Sequence, residues 1–272
     1  MRSILASFFR FILSFNFFRQ KYFAFHKYIF KRYHLFRNVK KTIIYRDSIK
    51  LNINLDDWIQ QQIYFLGEYE KDEIDFLYKT LKEDDTFIDI GGNIGLFSLN
   101  ASKIVKEKGN IYSFEAFQLN YEQFKNHIKI NDFKNITLEH LAISDQKGFI
   151  EILYNETYDN VGMASSYLQE YTSKEKVESI SLDNYVKENG ISHIDLIKID
   201  IEGAEYFALK GMEKVLTDIR PKIIIEINNI ALKASNRSEK ELIQLLTEKG
   251  YTKTKVLSQN ENSYNAVFEF IQ

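Results

Sequence analysis

The sequence predicts an α/β fold built on a mostly parallel, doubly wound sheet with helices on both faces, preceded by a basic, phenylalanine-rich helical arm. Three observations carry that expectation. From residue 42 onward, runs rich in β-branched residues alternate with amphipathic stretches, the pattern of strands joined by crossover helices. Three of the eleven glycines, Gly91, Gly92 and Gly95, fall within five residues directly after the apolar run TFIDI, where the first strand of such a sheet turns into its helix. Residues 1–41 hold ten of the 36 basic side chains and no acid, so the formal charge of −2 divides into +10 there and, with 26 bases against 38 acids, −12 in the remaining residues 42–272.

The arm, residues 1–41, is the first predicted domain. Its Ile4, Phe8, Phe11, Phe15, Phe18, Tyr22, Phe25 and Ile29 recur at steps of four and three, which places them on one stripe of a helix. Arg10, Arg19 and Lys21 interrupt the apolar run, which argues against a membrane-spanning helix of about 20 apolar residues. No small-x-small site suited to signal-peptide cleavage follows. Cations and aromatics without acids suit a helix lying on an anionic membrane surface, and a helix that packs on a partner is the alternative. The expected location is cytoplasmic, peripheral to the inner membrane face.

Residues 42–272 form the second predicted domain. Alternation over 43–55 reads as an edge hairpin and 70–82 as a helix. Strands are expected at 86–90, 110–115, 136–140 and 194–200, then at 222–228, 251–257 and 264–271, the last two forming an antiparallel hairpin. Helices are expected at 94–107, 118–130, 181–189, 203–217 and 238–248, with an extra strand at 149–154. The stretch 155–180 reads as the longest irregular segment, of the kind that forms a substrate lid, with Asn160, Gly162, Ser165 and Ser166 as acceptor contacts. With no cysteine, the chain has no disulfide, no thiolate nucleophile and no Cys-based zinc site. The acidity of residues 42–272 argues against nucleic acid as a partner.

The glycine turn reads Asp89-Ile90-Gly91-Gly92-Asn93-Ile94-Gly95, and Glu115 ends the next strand twenty residues after Gly95, where a carboxylate can accept hydrogen bonds from a ribose. No Lys-Ser/Thr follows, so this is not a P-loop. A carboxylate such as Asp89 would repel a pyrophosphate and attract the cationic amino-acid end of S-adenosylmethionine, which favours the latter over NAD. A second cluster, Asp195 to Glu205 (DLIKIDIEGAE), crosses from strand to helix. Lys198 and Asp200 share one face of the strand there, so they reach the ligand crevice or pair with each other. Glu226 and Asn228 end the following strand. Asp200, Glu226 and Asn228 could supply oxygens to Mg²⁺, but a metal is not favoured, because one acid per strand end is common without one.

The segments FIDIGGNIGLFSL, IYSFEAF and LAISDQKG, and above all IDLIKIDIEGAE with LKGMEKVL and RPKIIIEI, resemble the FkbM family of S-adenosylmethionine-dependent methyltransferases over about residues 65–230. The resemblance implies a class I methyltransferase (Rossmann-like) fold with a seven-stranded sheet, and O-methylation of a saccharide, glycan or glycolipid hydroxyl. It implies that Asp89, Gly91, Gly92, Asn93, Gly95, Glu115 and Ala142 hold the cofactor. Lys198, Asp200 and Glu202 would then carry catalysis, and Ser165, Ser166, Glu226 and Asn228 would face the acceptor. Two departures stand out: Phe117 where proline is usual, and Asn228 where histidine is common, the second removing a base or substrate ligand. The competing functional readings are an NAD-dependent oxidoreductase and a membrane-associated, non-catalytic binding protein with a vestigial pocket. His140 lies where the adenine would sit and is expected to be structural; His127 and His193 read as helix-face and loop residues.

Overall fold

The computed structural model describes residues 1–46, 48–155 and 164–271. The chain divides into two compact units, Met1–Lys71 with Asn155–Gly162, and Asp72–Tyr154 with Met163–Gln272.

The first unit begins with α1 (Arg2–Leu13), α2 (Asn16–Arg19), α3 (Tyr22–Phe25) and a π-helical turn at His26–Phe30. The antiparallel hairpin of β1 (Lys40–Tyr45) and β2 (Ile49–Asn54) follows, then α4 (Trp58–Leu66). The arm is helical, as expected, but not one continuous helix. Phe15 has extended backbone (φ −81°, ψ 128°) between α1 and α2, and Lys21 leaves helical geometry before α3. The eight-residue stripe therefore splits, with Ile4, Phe8, Phe11, Phe15 and Phe18 exposed and Tyr22 fully buried. The physical reason is an aromatic core that a straight helix could not close. Tyr22 stacks on Trp58 at 5.7 Å, Phe36 lies 4.8 Å from Phe30 and 5.1 Å from Phe65, and Phe9 reaches Phe30 at 5.0 Å. Each such ring pair adds about 0.5–1.5 kcal/mol to the area it buries. Arg19 pairs with Glu68. The compact unit thus runs on to Lys71, well beyond residue 41, because the arm's buried rings need α4 to complete their core.

The second unit follows the α/β plan. Helix α5 (Lys71–Thr80) precedes β3 (Thr86–Ile90), α6 (Leu96–Val105), β4 (Asn110–Phe114), α7 (Gln118–Asn131) and β5 (Ile136–Glu139). After β6 (Ala142–Ile143), β7 (Gly148–Tyr154) and β8 (Ser173–Ile180) come α8 (Leu182–Glu188), β9 (Leu196–Ile199) and α9 (Glu205–Lys210). A π-helical turn at Val215–Ile219 leads into β10 (Lys222–Asn228), α10 (Asn229–Ala234), α11 (Glu239–Glu248), β11 (Tyr251–Gln259) and β12 (Ser263–Phe270). The main sheet has seven strands in the order β11-β12-β10-β9-β3-β4-β5; β12 is antiparallel to both neighbours and the remaining pairs are parallel. Strand order reverses between β3 and β9, so the crevice at their carboxyl ends is the topological switch point where α/β folds bind ligands.

Alternation along the strands separates the faces. Ile88, Ile90, Ile197 and Ile199 join a buried cluster with Leu182, Leu209, Leu242 and Leu246 of the helices on one side. Asp89 and Lys198, register neighbours on β3 and β9, belong to the other, where α6 supplies Ser98 and Phe97. Two expectations are corrected. The helix foreseen at 203–217 stops at Gly211, where a Cβ would lie 1.9 Å from the Ser144 carbonyl oxygen, so the chain is pinned there and resumes as the π-helical turn. The segment 155–180 is not irregular throughout: Ser173–Ile180 is β8, paired with β7 and β6 in a separate three-stranded sheet. Exposed Lys174, Lys176 and Glu178 alternate with the less exposed Ser173, Glu175, Val177 and Ser179, a one-sided strand pattern masked in sequence by Glu175 on the inner side.

Candidate active site

The glycine turn sits at the end of β3 because its backbone admits no side chain there. Gly91 has φ 88°, and a Cβ on it would fall 1.9 Å from the Asp200 carbonyl oxygen, so the turn after β3 lies directly against the end of β9. Gly95 has φ 93° and its missing Cβ is replaced by the Phe124 ring, which brings α7 onto the start of α6. Both amides of Gly91 and Gly92 donate to the Phe114 carbonyl.

The carboxylates around this turn are sealed from water. Asp89 is 1% exposed; the Ser98 hydroxyl donates to its Oδ2 at 2.6 Å, while Oδ1 has no hydrogen-bond partner among the described residues. Burial pushes the Asp89 carboxyl above its ordinary range, against the opposing pull of the Lys198 charge and the Ser98 hydroxyl. Glu115 accepts the Asn93 amide at 2.6 Å on one oxygen and the Phe117 amide at 2.8 Å on the other. Burial outweighs those two donors and pushes its carboxyl up to about 8. A carboxylate has about four lone-pair sites, so two amides leave acceptor capacity for a bound diol.

The second cluster is more open. Lys198 is buried, donates to Asp200 Oδ2 at 2.7 Å and lies 4.4 Å from the Phe97 ring centre, whereas the Asp200 side chain keeps 22% of its exposure. The turn that follows is strained, with Glu202 at φ 51° and Gly203 at φ 103°. A Cβ on Gly203 would meet the Ala231 carbonyl oxygen at 2.6 Å, which holds this turn against α10. Glu205 fastens the loop from inside: its carboxylate accepts the amides of Ile201 and Gly203, and burial pushes it up to about 7. Asp200, Glu202 and Glu226 each bring a carboxylate oxygen within 4.8 Å of the others. Three carboxylates so close repel one another, and Lys198 supplies opposite charge through Asp200.

The structure thus gathers Asp89, Gly91, Gly92, Asn93, Gly95 and Glu115 around one turn, and Lys198, Asp200, Glu202 and Glu226 around the adjoining strand ends. Ala142 is buried and pairs with Ser179 in the smaller sheet. Ser165 is buried, donates to the Glu202 carbonyl at 2.7 Å and accepts the Tyr167 amide, so it ties its loop to the acidic turn. Ser166 beside it is half-buried. Asn228 caps α10, accepting the amides of Ile230 and Ala231. Asn160 and Gly162 lie outside the described residues. His140 donates to the Ala116 carbonyl at 2.9 Å, a structural bond. Sequence reasoning passed over Glu205 and Ser98 as parts of the site. Glu205 stood inside the quoted block IDIEGAE, where its offset from Gly203 was the available signal; Ser98 had none, since its role depends on α6 facing β3.

This strand order, with an antiparallel final strand inserted beside β10 and an acid-flanked glycine turn at the switch point, defines a class I methyltransferase fold. The chain belongs to the FkbM family of S-adenosylmethionine-dependent methyltransferases: the family's model, described as a methyltransferase FkbM domain, matches residues 89–253. Among its relatives are the hexuronic acid methyltransferase AglP of Haloferax volcanii, 24% identical over 66% of this chain and 68% of that protein, and methyltransferase 1 of Beauveria bassiana, 22% identical over 53% and 65%. The chain therefore matches about two thirds of the length of these curated relatives. A solved FkbM methyltransferase from Methylobacillus flagellatus aligns with a TM-score of 0.49 at 13% identity, covering 81% of this chain and 56% of that one.

Proposed function

We propose that this chain is an O-methyltransferase that methylates a hydroxyl of a saccharide, glycan or glycolipid. The observation that carries the reading is the packing of Gly91 against the Asp200 backbone, which sets the acid of the acceptor side against the cofactor turn. The donor set suits S-adenosylmethionine: Asp89 offers an oxygen without a hydrogen-bond partner among the described residues, Glu115 offers acceptor capacity for a ribose, and Gly91 lets the turn lie against the end of β9. Bound there, that cofactor supplies an electrophilic methyl group. Ala142, buried in the smaller sheet, enters this reading as a cofactor contact on the family resemblance alone.

The chain's own contribution is positioning and proton acceptance. A sugar hydroxyl is a weak nucleophile, and in this reading Asp200 accepts its proton. Lys198 is a positioning residue, holding Asp200 through Oδ2 and leaving Oδ1 for the hydroxyl. Glu202 and Glu226 accept neighbouring hydroxyls of the acceptor, with Ser166 on the adjoining loop and Ser165 anchoring that loop. Asn228, with its oxygen committed to capping α10, offers only its amide hydrogens. Fixing the position of the acceptor oxygen would supply most of the acceleration. Support for a saccharide acceptor comes from the Haloferax volcanii relative, a hexuronic acid methyltransferase.

The test is transfer of labelled methyl from S-adenosylmethionine to hexuronate-containing oligosaccharides and to fractionated glycan and glycolipid extracts. Label is expected in an alkali-stable ether on the glycan, and Asp200→Asn should slow its appearance about 10²–10⁴-fold. Cofactor binding without label in any fraction would overturn the enzymatic reading in favour of a binding protein.

A further inference from the structure

We infer that the exposed face of residues 1–33 is a docking surface for an anionic lipid bilayer, an inference independent of the acceptor's identity. On α1, at 100° per residue, Ile4, Phe8 and Phe11 fall within an arc of about 60°, and the buried Ala6 and Leu13 lie on the opposite side. These three side chains are 54–76% exposed, and Phe15 beyond the helix end is 51% exposed. The arm also closes a core of its own, in which Tyr22, Phe30 and Phe36 are at most 2% exposed, so this stripe is not left over from a failed interior. Phe17, Phe23 and Tyr28 continue the exposed apolar surface past α1.

The charge around the stripe selects the occupant. All ten ionised side chains of residues 1–41 are basic. Lys21 lies 4.1 Å from the centre of the exposed Phe17 ring and Lys27 lies 5.3 Å from that of Tyr28, so cations and exposed aromatics occupy the same surface. A second copy of the chain fits poorly, because an isologous pairing would set two predominantly basic faces against each other. An apolar helical stripe edged by cations matches a bilayer interface, with rings below the headgroups and cations among anionic phosphates. No helix among the described residues is long and apolar enough to cross a membrane, so the contact is with the surface.

The experiment is flotation of the full chain with phosphatidylcholine vesicles and with phosphatidylcholine/phosphatidylglycerol vesicles, at low and high salt. Flotation is expected with the anionic vesicles only and should weaken at high salt. The triple variant Phe8→Ser, Phe11→Ser, Phe15→Ser should reduce it about tenfold or more, and so should Lys21→Glu, Lys27→Glu, Arg32→Glu. The substituted side chains are all exposed, and circular dichroism with S-adenosylmethionine binding verifies that each variant is folded. Equal flotation of wild type and variants, equal binding to neutral vesicles, or no flotation would overturn the proposal. Concentration-dependent dimerisation lost in the phenylalanine variant, or single-stranded RNA binding, without flotation would assign the face to another occupant and overturn it equally.

Discussion

The turns after β3 and β9 begin alike, each with a strand ending in acid and a glycine at positive φ, yet they are built for opposite tasks. Around the first, Asp89 and Glu115 are almost fully buried, bound to Ser98 and to the Asn93 and Phe117 amides, and raised in pKa by that burial. Around the second, Asp200, Glu202 and Glu226 remain partly exposed, and the sealed group is Glu205, which fastens the loop. Under the proposed function, this difference corresponds to a cofactor side preformed from sealed carboxyl groups and an acceptor side left open to hydroxyls of varying geometry.

Four substitutions break or sharpen that contrast. The largest effect is expected for Asp200→Asn, which should lower kcat about 10²–10⁴-fold while leaving S-adenosylmethionine affinity unchanged, as single-turnover kinetics and calorimetry would report. Loss of cofactor affinity instead would mean that the two turns are not separate in function.

A second effect is pH dependence. The native state keeps a proton on Glu115 that the unfolded chain releases, so its contribution to stability falls as pH rises from its ordinary 4.5 to about 8. Glu205, pushed to about 7, acts in the same direction. Urea unfolding of the cofactor-free protein should show a loss of several kcal/mol across that range, flattened in part by Glu115→Gln. A ribose that donates to Glu115 favours the ionised form, so cofactor affinity should rise with pH over the same interval.

Third, Gly91→Ala places a methyl against the Asp200 carbonyl at a positive φ, and should cost about 2–4 kcal/mol in unfolding free energy together with cofactor affinity. The smallest effect is expected for Asn228→Ala, which removes the α10 cap and should cost about 1 kcal/mol. If Asn228 also donates to the acceptor, its KM rises and kcat stays.

The sheet was legible because β3, β4, β9 and β10 are largely buried strands bounded by polar turns and separated by amphipathic helices. The two turns were legible because positive φ and close approach restrict them to glycine. What escaped was set by distant packing. The breaks in the arm follow from where Tyr22 and Phe30 meet Trp58 and Phe65, and the end of α9 from where Gly211 meets the Ser144 carbonyl. No local pattern encodes either meeting. The role of Ser165 as an anchor and of Asn228 as a cap escaped for the same reason: both side chains are polar residues near the crevice, and only the coordinates of Glu202 and α10 show where their hydrogen bonds go.

If the acids around the β3 turn hold S-adenosylmethionine, titration calorimetry should show saturable binding to the wild type and none to Glu115→Ala, with both folded by circular dichroism. Equal affinity in the two proteins would contradict that assignment.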